Sequence, residues 1–343
     1  MSPKSLVFSH QRDTAISLAE LFDFVTVFTT EKYLGDLPKN LRVHEIAWEK
    51  NSPVKNMASI MKAIYPFLLK NRKSVLFSHM TDVHAALVAP LARLLGIRHI
   101  LWYAHAKNSP YLIWSSFFVS QIVSSTPGSC NIKLKSKKVT FINQGISQQT
   151  FPFYARSLAK LKKIIYYGRL DPSKNIHLLF NVVEELRARG NSVTLDIFGK
   201  PSNSISEEYL SALKTSPQLR RIQGSTNLHD SISRDSISKI AKNFDVFMNL
   251  FSGSLDKALI EATLMGLPVV TWNSQYCIIF GTWSKNSTSE SISFLLEEFD
   301  ALTLMTPPER ENEISRRFKI ALEFHSFDGW IKRLVSVLKE SNV

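Results

Sequence analysis

The sequence predicts an α/β protein of two doubly wound halves, each a parallel sheet with helices on both faces. Three observations predict it. Apolar runs of strand length alternate with stretches of helical period from Val25 to Ile142. The alternation lapses between Asn143 and Lys163 and restarts at Ile164. The chain has 343 residues, more than one core usually fills. The expected division is residues 1–150, residues 151–320, and a closing helix over 321–343 that packs back on the first domain.

In chain order, Leu6–Ser9, Val25–Phe28 and Val43–Ile46 read as short strands, and Pro53–Asn71 as a long helix. Ser74–Ser78 is a strand ending in polar residues. His84–Leu95 is a helix closed by Gly96. His99–Tyr103, Gln121–Ser124 and Val139–Ile142 complete the first set of strands. Asn143–Lys163, rich in Gln, Ser and basic residues, reads as the connection. Ile164–Tyr167 is a strand, followed by a Gly turn and a helix that begins near Pro172 or Ser173, where proline suits the first turn. Gly190 ends that helix and Val193–Phe198 is the next strand. Ser231–Phe244 is a helix that leads into strand Val246–Leu250. The polar loop Phe251–Ser254, a helix from Leu255, and a strand from Val269 follow. Glu311–Lys339 is mostly helical, with a break at 325–329.

Composition is that of an ordinary globular protein, 44% hydrophobic and 21% charged. Cys130 and Cys277 stand far apart without metal-ligand spacing, which suits a reducing compartment. The first apolar run is too short for a signal peptide's core, and no stretch reaches membrane-span length. A cytoplasmic protein is expected. The net charge of +13 points to an anionic partner. The basic clusters at Lys133, Lys135, Lys137 and Lys138, and at Arg156, Lys160, Lys162 and Lys163, lack interleaved aromatics, and no nucleic-acid-binding signature is visible. Nucleic acid is therefore not the expected partner. The Pro53–Asn71 helix is amphipathic, with lysines beside its apolar residues. It reads equally as a helix packed on its own sheet or as one lying on anionic lipid.

Two stretches in the second half could carry chemistry. Gly168-Arg169-Leu170-Asp171-Pro172-Ser173-Lys174 follows a strand at the edge where open α/β sheets bind ligands. Arg169 and Lys174 suit a diphosphate, and on spacing alone they equally suit two solvated cations. The loop Ser252–Lys257 opens a helix, so its N–H groups could hold an anion. Glu261 lies inside that helix, where an ordinary pair with Lys257 is the plain alternative.

The G-R-L-x3-K pattern at 168–174, with Glu261-Ala262 and Gly266-Leu267-Pro268-Val269-Val270 about ninety residues on, resembles glycosyltransferase family 4, of group 1 type. Leu101-Trp102-Tyr103-Ala104-His105 and Asn143-Gln144-Gly145-Ile146 are similar to segments of that family's first domain and linker. The resemblance implies a GT-B fold, two Rossmann-like domains facing across a cleft. It also implies a retaining transfer of sugar from a nucleotide-sugar donor to a glycan acceptor. A lipid-linked acceptor in surface polysaccharide or lipopolysaccharide synthesis fits, with the enzyme peripheral on the inner face of the membrane. Many members carry two glutamates eight positions apart. Here the first position is Gly253, in an S-L-D-K loop of Ser254, Leu255, Asp256 and Lys257. A non-catalytic nucleotide-sugar-binding subunit is the alternative that this departure raises.

By resemblance Arg169 and Lys174 stabilise the leaving diphosphate, and His105 touches donor sugar or phosphate. Gly168, Gly199, the loop Gly253–Lys257 and Glu261 bind the donor, Glu261 through the ribose. No cofactor is expected. No D-x-D stands in a metal-binding context, so fixed cations take the metal's place. On the acceptor side, His10, Arg12 and Asp13 are expected after the first strand, and His79 and Asp82 after another.

Overall fold

The structure, a computed structural model, describes residues 9–30, 35–49, 52–132, 139–155 and 161–340. The expected strand at Leu6–Ser9 lies outside them apart from Ser9, as do the lysines at 133–138 and Arg156 and Lys160. The chain divides into two compact units, Met1–Asn143 with Asp328–Val343, and Gln144–Phe327.

The first unit runs α1 (Ser9–Leu21), β1 (Val25–Thr29), β2 (Leu41–Glu45), α2 (Pro53–Lys70), β3 (Val75–His79), α3 (Asp82–Leu94), β4 (Arg98–Trp102), α4 (Pro110–Ser116), β5 (Gln121–Ser124) and β6 (Val139–Phe141). Strands β3 to β6 form a parallel sheet in sequence order, and β1 pairs with β2 in parallel. All five residues of β4 are buried, which marks a strand covered on both faces. Ala85, Ala89 and Ala92 on α3 are fully buried, so small side chains let that helix settle closely in its cluster. His99 in β4 bonds Ser78 Oγ at 2.9 Å, and burial pushes its pKa down to about 3, so it stays neutral.

The second unit runs β7 (Lys163–Tyr167), α5 (Ile176–Ala188), β8 (Thr194–Phe198), α6 (Ser204–Thr215), α7 (Pro217–Arg221), β9 (Thr226–His229), α8 (Arg234–Ala241), β10 (Val246–Asn249), α9 (Lys257–Leu264), β11 (Val269–Thr271), α10 (Ser274–Phe280), α11 (Ile292–Leu304) and α12 (Pro307–His325). Its five parallel strands lie in the order β11-β10-β7-β8-β9. Strand β7 shows the period-2 logic. Ile164 and Tyr166 join the core on one face, with α5 and α11. Ile165 and Tyr167 join the other, with α9. The last helix, α13 (Phe327–Lys339), returns to the first unit. There Trp330 is fully buried and meets Trp102 edge-on, ring centroids 5.3 Å apart.

Several boundaries differ from expectation for local reasons. The turn at Pro172–Lys174 is one 3-10 turn, and α5 starts after Asn175 at φ 53°. Asparagine tolerates that left-handed conformation, and its Nδ2 donates to Leu250 O at 3.0 Å. The helix expected from Ser231 starts at Arg234, because Ser233 Oγ accepts from Ser236 N and caps it. The helix expected from Leu255 starts at Lys257, capped by Asp256. Strand β9, Thr-Asn-Leu-His at the sheet edge, lacks the apolar pattern that would have announced it.

Candidate functional site

In the second unit the strand order reverses between β7 and β10, which are hydrogen-bonded neighbours. The crevice beyond the carboxyl ends at such a switch point is where open α/β sheets hold ligands. Two loops meet there, 168–175 after β7 and 250–256 after β10.

The first loop is fixed by glycines. Gly168 N donates to Phe198 O at 3.0 Å, and Leu170 N to Lys200 O at 3.1 Å, which lays the loop along the end of β8. A Cβ on Gly199 would stand 2.2 Å from Gly168 O, so only glycine permits this approach. Gly168 itself adopts φ 154°, a conformation that side-chain-bearing residues rarely take. Arg169 is exposed and makes no salt bridge among the described residues. Asp171 caps the following turn by accepting from Ser173 N and Oγ and from Ser206 Oγ. Burial alone would raise its pKa, and these hydrogen bonds bring it below the usual carboxylate range.

Lys174 is buried. Its Nζ lies 2.6 Å from Asp256 Oδ2 and 3.6 Å from the centroid of the Phe251 ring. Asp256 thus caps α9 with one oxygen and holds Lys174 with the other. Burial pushes the Asp256 carboxyl up, but Lys174 beside it brings the net shift below normal. The same ring covers Gly253, where a Cβ would stand 2.2 Å from Phe251 Cζ.

The second loop is held from behind. Asn273 is fully buried, and its Nδ2 faces the carbonyls of Phe251, Gly253 and Ser254 at 2.9, 3.2 and 3.3 Å. Trp272 Nε1 donates to Leu250 O at 2.8 Å. With these carbonyls turned inward, the N–H groups of Ser252 to Leu255 have no acceptor among the described residues. Such a row of free amides at a helix start suits an anion. Asn273 was not singled out in the sequence. Its place just past the second strand of a βαβ unit, after Val269–Trp272, was the available signal.

Glu261 sits in α9, 5% exposed. Its Oε1 lies 3.2 Å from Arg234 Nη2 without hydrogen-bond alignment, so the atom is buried with no hydrogen-bond partner. Burial raises its pKa, and Arg234 and then Lys257 offset part of the rise. The ion pair found is with Arg234 on α8, where the sequence suggested Lys257. Burial, and then Arg234 nearby, push the Lys257 amine down to about 8. Two cations and one underbonded carboxylate thus share the start of α9.

The remaining candidates belong to the first unit. Strands β3 and β4 are neighbours, so His79, Asp82 and His105 come to one rim of that sheet. His79 stacks on Trp102 at 6.0 Å, and its Nδ1 lies 3.2 Å from Gln11 Nε2. Asp82 accepts from Ser109 Oγ and Val83 N. His105 is exposed, with its ring against Tyr103 at 5.4 Å. His10 and Asp13, expected in a loop after a strand, lie in helix α1 instead.

Residues 148–278 match the family model for glycosyl transferases group 1. No curated protein matches the chain. Among solved structures, a glycosyltransferase from Rickettsia africae aligns over 98% of this chain and 95% of its own, with TM-score 0.74 and 12% identity. Sucrose-phosphate synthase from Thermosynechococcus elongatus aligns over 96% and 92%, with TM-score 0.75 and 11% identity. Anabaena HepE, solved with UDP and glucose, aligns over 99% and 97%, with TM-score 0.75 and 13% identity. These likenesses identify the fold as GT-B.

Proposed function

We propose that the protein is a glycosyltransferase that binds a nucleotide-sugar donor at the crevice between the loops after β7 and β10. The observation that carries this reading is Glu261, a buried carboxylate oxygen without a hydrogen-bond donor, set beside Arg234 and Lys257. A ribose hydroxyl would satisfy the carboxylate, and a diphosphate would neutralise the cations. The group 1 match over 148–278 covers these residues, and HepE, of the same fold, was solved with UDP and with UDP-glucose.

Sugar transfer builds negative charge on the departing diphosphate. Arg169, Lys257, Arg234 and the free amides of Ser252 to Leu255 would stabilise it without reorganising, and no metal or cofactor is assigned a role. Lys174 serves chiefly as a brace, because Asp256 and Phe251 already engage its ammonium. The finer reading is transfer with retention, as in glycosyltransferase family 4, to a glycan on a lipid carrier in surface polysaccharide synthesis, by an enzyme at the inner face of the cell membrane. His105, His79, Asp82, Asp13 and His10 on the first unit are its candidates for donor-sugar and acceptor contact.

Thermal-shift measurements with UDP, GDP and ADP and their sugars test the donor site. One nucleotide should stabilise the fold by mass action, about 2.7 kcal/mol at a hundredfold excess over Kd. Arg169→Ala should lower turnover by about two to three orders of magnitude with the fold intact. Donor binding without transfer or donor hydrolysis would favour a non-catalytic subunit, a reading that the Phe251 ring over Gly253 keeps open.

A further inference from the structure

The first unit carries a surface that the donor site does not use. A groove of about 550 Å³ opens between the loop before α2 and helices α2, α3 and α4. Trp48, Met57, Ile60, Val83, Tyr111 and Trp114 line it. Trp48, Tyr111 and Trp114 are each about half exposed, and Val54, a turn away on α2, is 77% exposed. Trp114 is held in place, since its Nε1 donates to Ala86 O at 3.1 Å. Trp48 lies edge-on to His84, whose pKa burial lowers. Amphipathic aromatic rings with one wet edge suit a boundary between water and hydrocarbon.

Charge on the same unit is lopsided. It holds 21 Lys and Arg against 10 Asp and Glu, while the second unit holds 21 against 19. Between Lys50 and Asn143 there are 13 basic residues and one acidic residue, Asp82, whose carboxylate accepts from Ser109 and Val83. Helix α2 contains Lys55, Lys62 and Lys70 and no acid. At 100° per residue, Lys55 and Lys62 lie together along one edge of the stripe of Val54, Met57 and Met61. Glu49, the acid among the described lining residues, is answered by Lys55 at 3.0 Å.

We infer that this aromatic groove and its lysine flank form a docking surface for a bilayer of anionic phospholipid. Apolar insertion and charge attraction act together here, the two signals that stable peripheral binding needs. A nucleic-acid partner would account for the charge but leave Val54, Met57 and Met61 exposed for nothing. The inference extends the reading of a lipid-linked acceptor. It is read without donor, so the two fail separately.

The test is co-sedimentation of the whole chain with vesicles of phosphatidylcholine alone and with about one-third phosphatidylglycerol. Binding to the second set is expected. Trp48→Ser with Trp114→Ser should weaken it by about tenfold or more, and Lys62→Ser by about fivefold. Trp48 and Trp114 are each about half exposed, and an unchanged circular dichroism spectrum and melting temperature without any ligand verify that the variants fold. Equal binding to both vesicle types, no binding, or binding indifferent to the tryptophan pair would overturn the inference.

Discussion

Lys174, buried, and Asp256, 18% exposed, form an ion pair at 2.6 Å that ties the loop after β7 to the start of α9. Replacing Lys174 with Met should leave a largely buried carboxylate without its cation and cost about 2 kcal/mol, since Ala258 N and Asn249 Nδ2 still donate to it. Lys174→Met with Asp256→Asn should recover part of that loss, with a coupling energy of about 1–3 kcal/mol in chemical denaturation. The pH sign follows from Asp256. Its folded pKa is depressed, so its contribution is present at neutral pH and is lost as pH falls through that lowered value. Wild type and Asp256→Asn should therefore converge in stability in acid.

Gly199→Ala should place a methyl group 2.2 Å from Gly168 O, a backbone atom that cannot step aside cheaply. The expected loss is about 1–3 kcal/mol in thermal denaturation, with weakened nucleotide binding because Arg169 moves with the loop. Gly224→Ala is the control. A Cβ there meets nothing within 4 Å, so stability should be unchanged or slightly raised.

Asn273→Ala should release three carbonyls of the 251–254 segment at once. About 2–3 kcal/mol of stability should go. Nucleotide affinity should fall as well, and Asn273→Asp, whose carboxylate cannot donate to those carbonyls, should rescue neither stability nor affinity if the amide sets the loop's direction, which calorimetry of both variants would show.

Lys257 gives a pH signature of binding. Its amine is pushed down to about 8, so near that pH the free protein is about half protonated there. Its folded pKa is lowered, so the charged form costs stability below pH 8 and that cost fades as pH rises. An arriving diphosphate favours the charged form and should draw in a proton. Calorimetric titration of the nucleotide at pH 8 in buffers of different ionisation enthalpy should show uptake of about half a proton or less. Lys257→Arg, charged throughout, should abolish it.

Much of the second unit could be read in its sequence because β7 and β10 are buried on both faces. Ile164–Tyr167 and Val246–Asn249 are unbroken apolar or nearly apolar runs flanked by turn residues. The site was legible where a residue type is compulsory, as at Gly168 and Gly199. It was not legible where the partner comes from another element. Arg234 precedes Glu261 by 27 positions, and nothing local announces that α8 delivers it there. Likewise, the spacing of Lys174 and Asp256, 82 residues apart, could not show that one neutralises the other. The gap at Gly253 was visible, but not the Phe251 ring that covers it.

The return of α13 to the first unit makes that unit discontinuous along the chain. Trp330 contributes its buried indole to Trp102 and His79, and Arg98 reaches the carbonyls of Leu338 and Glu340. A ribosome therefore finishes every residue of the second unit before it releases the helix that completes the first. During synthesis the earlier-made unit waits, with part of its core unsealed, for a helix made after the whole of the second unit.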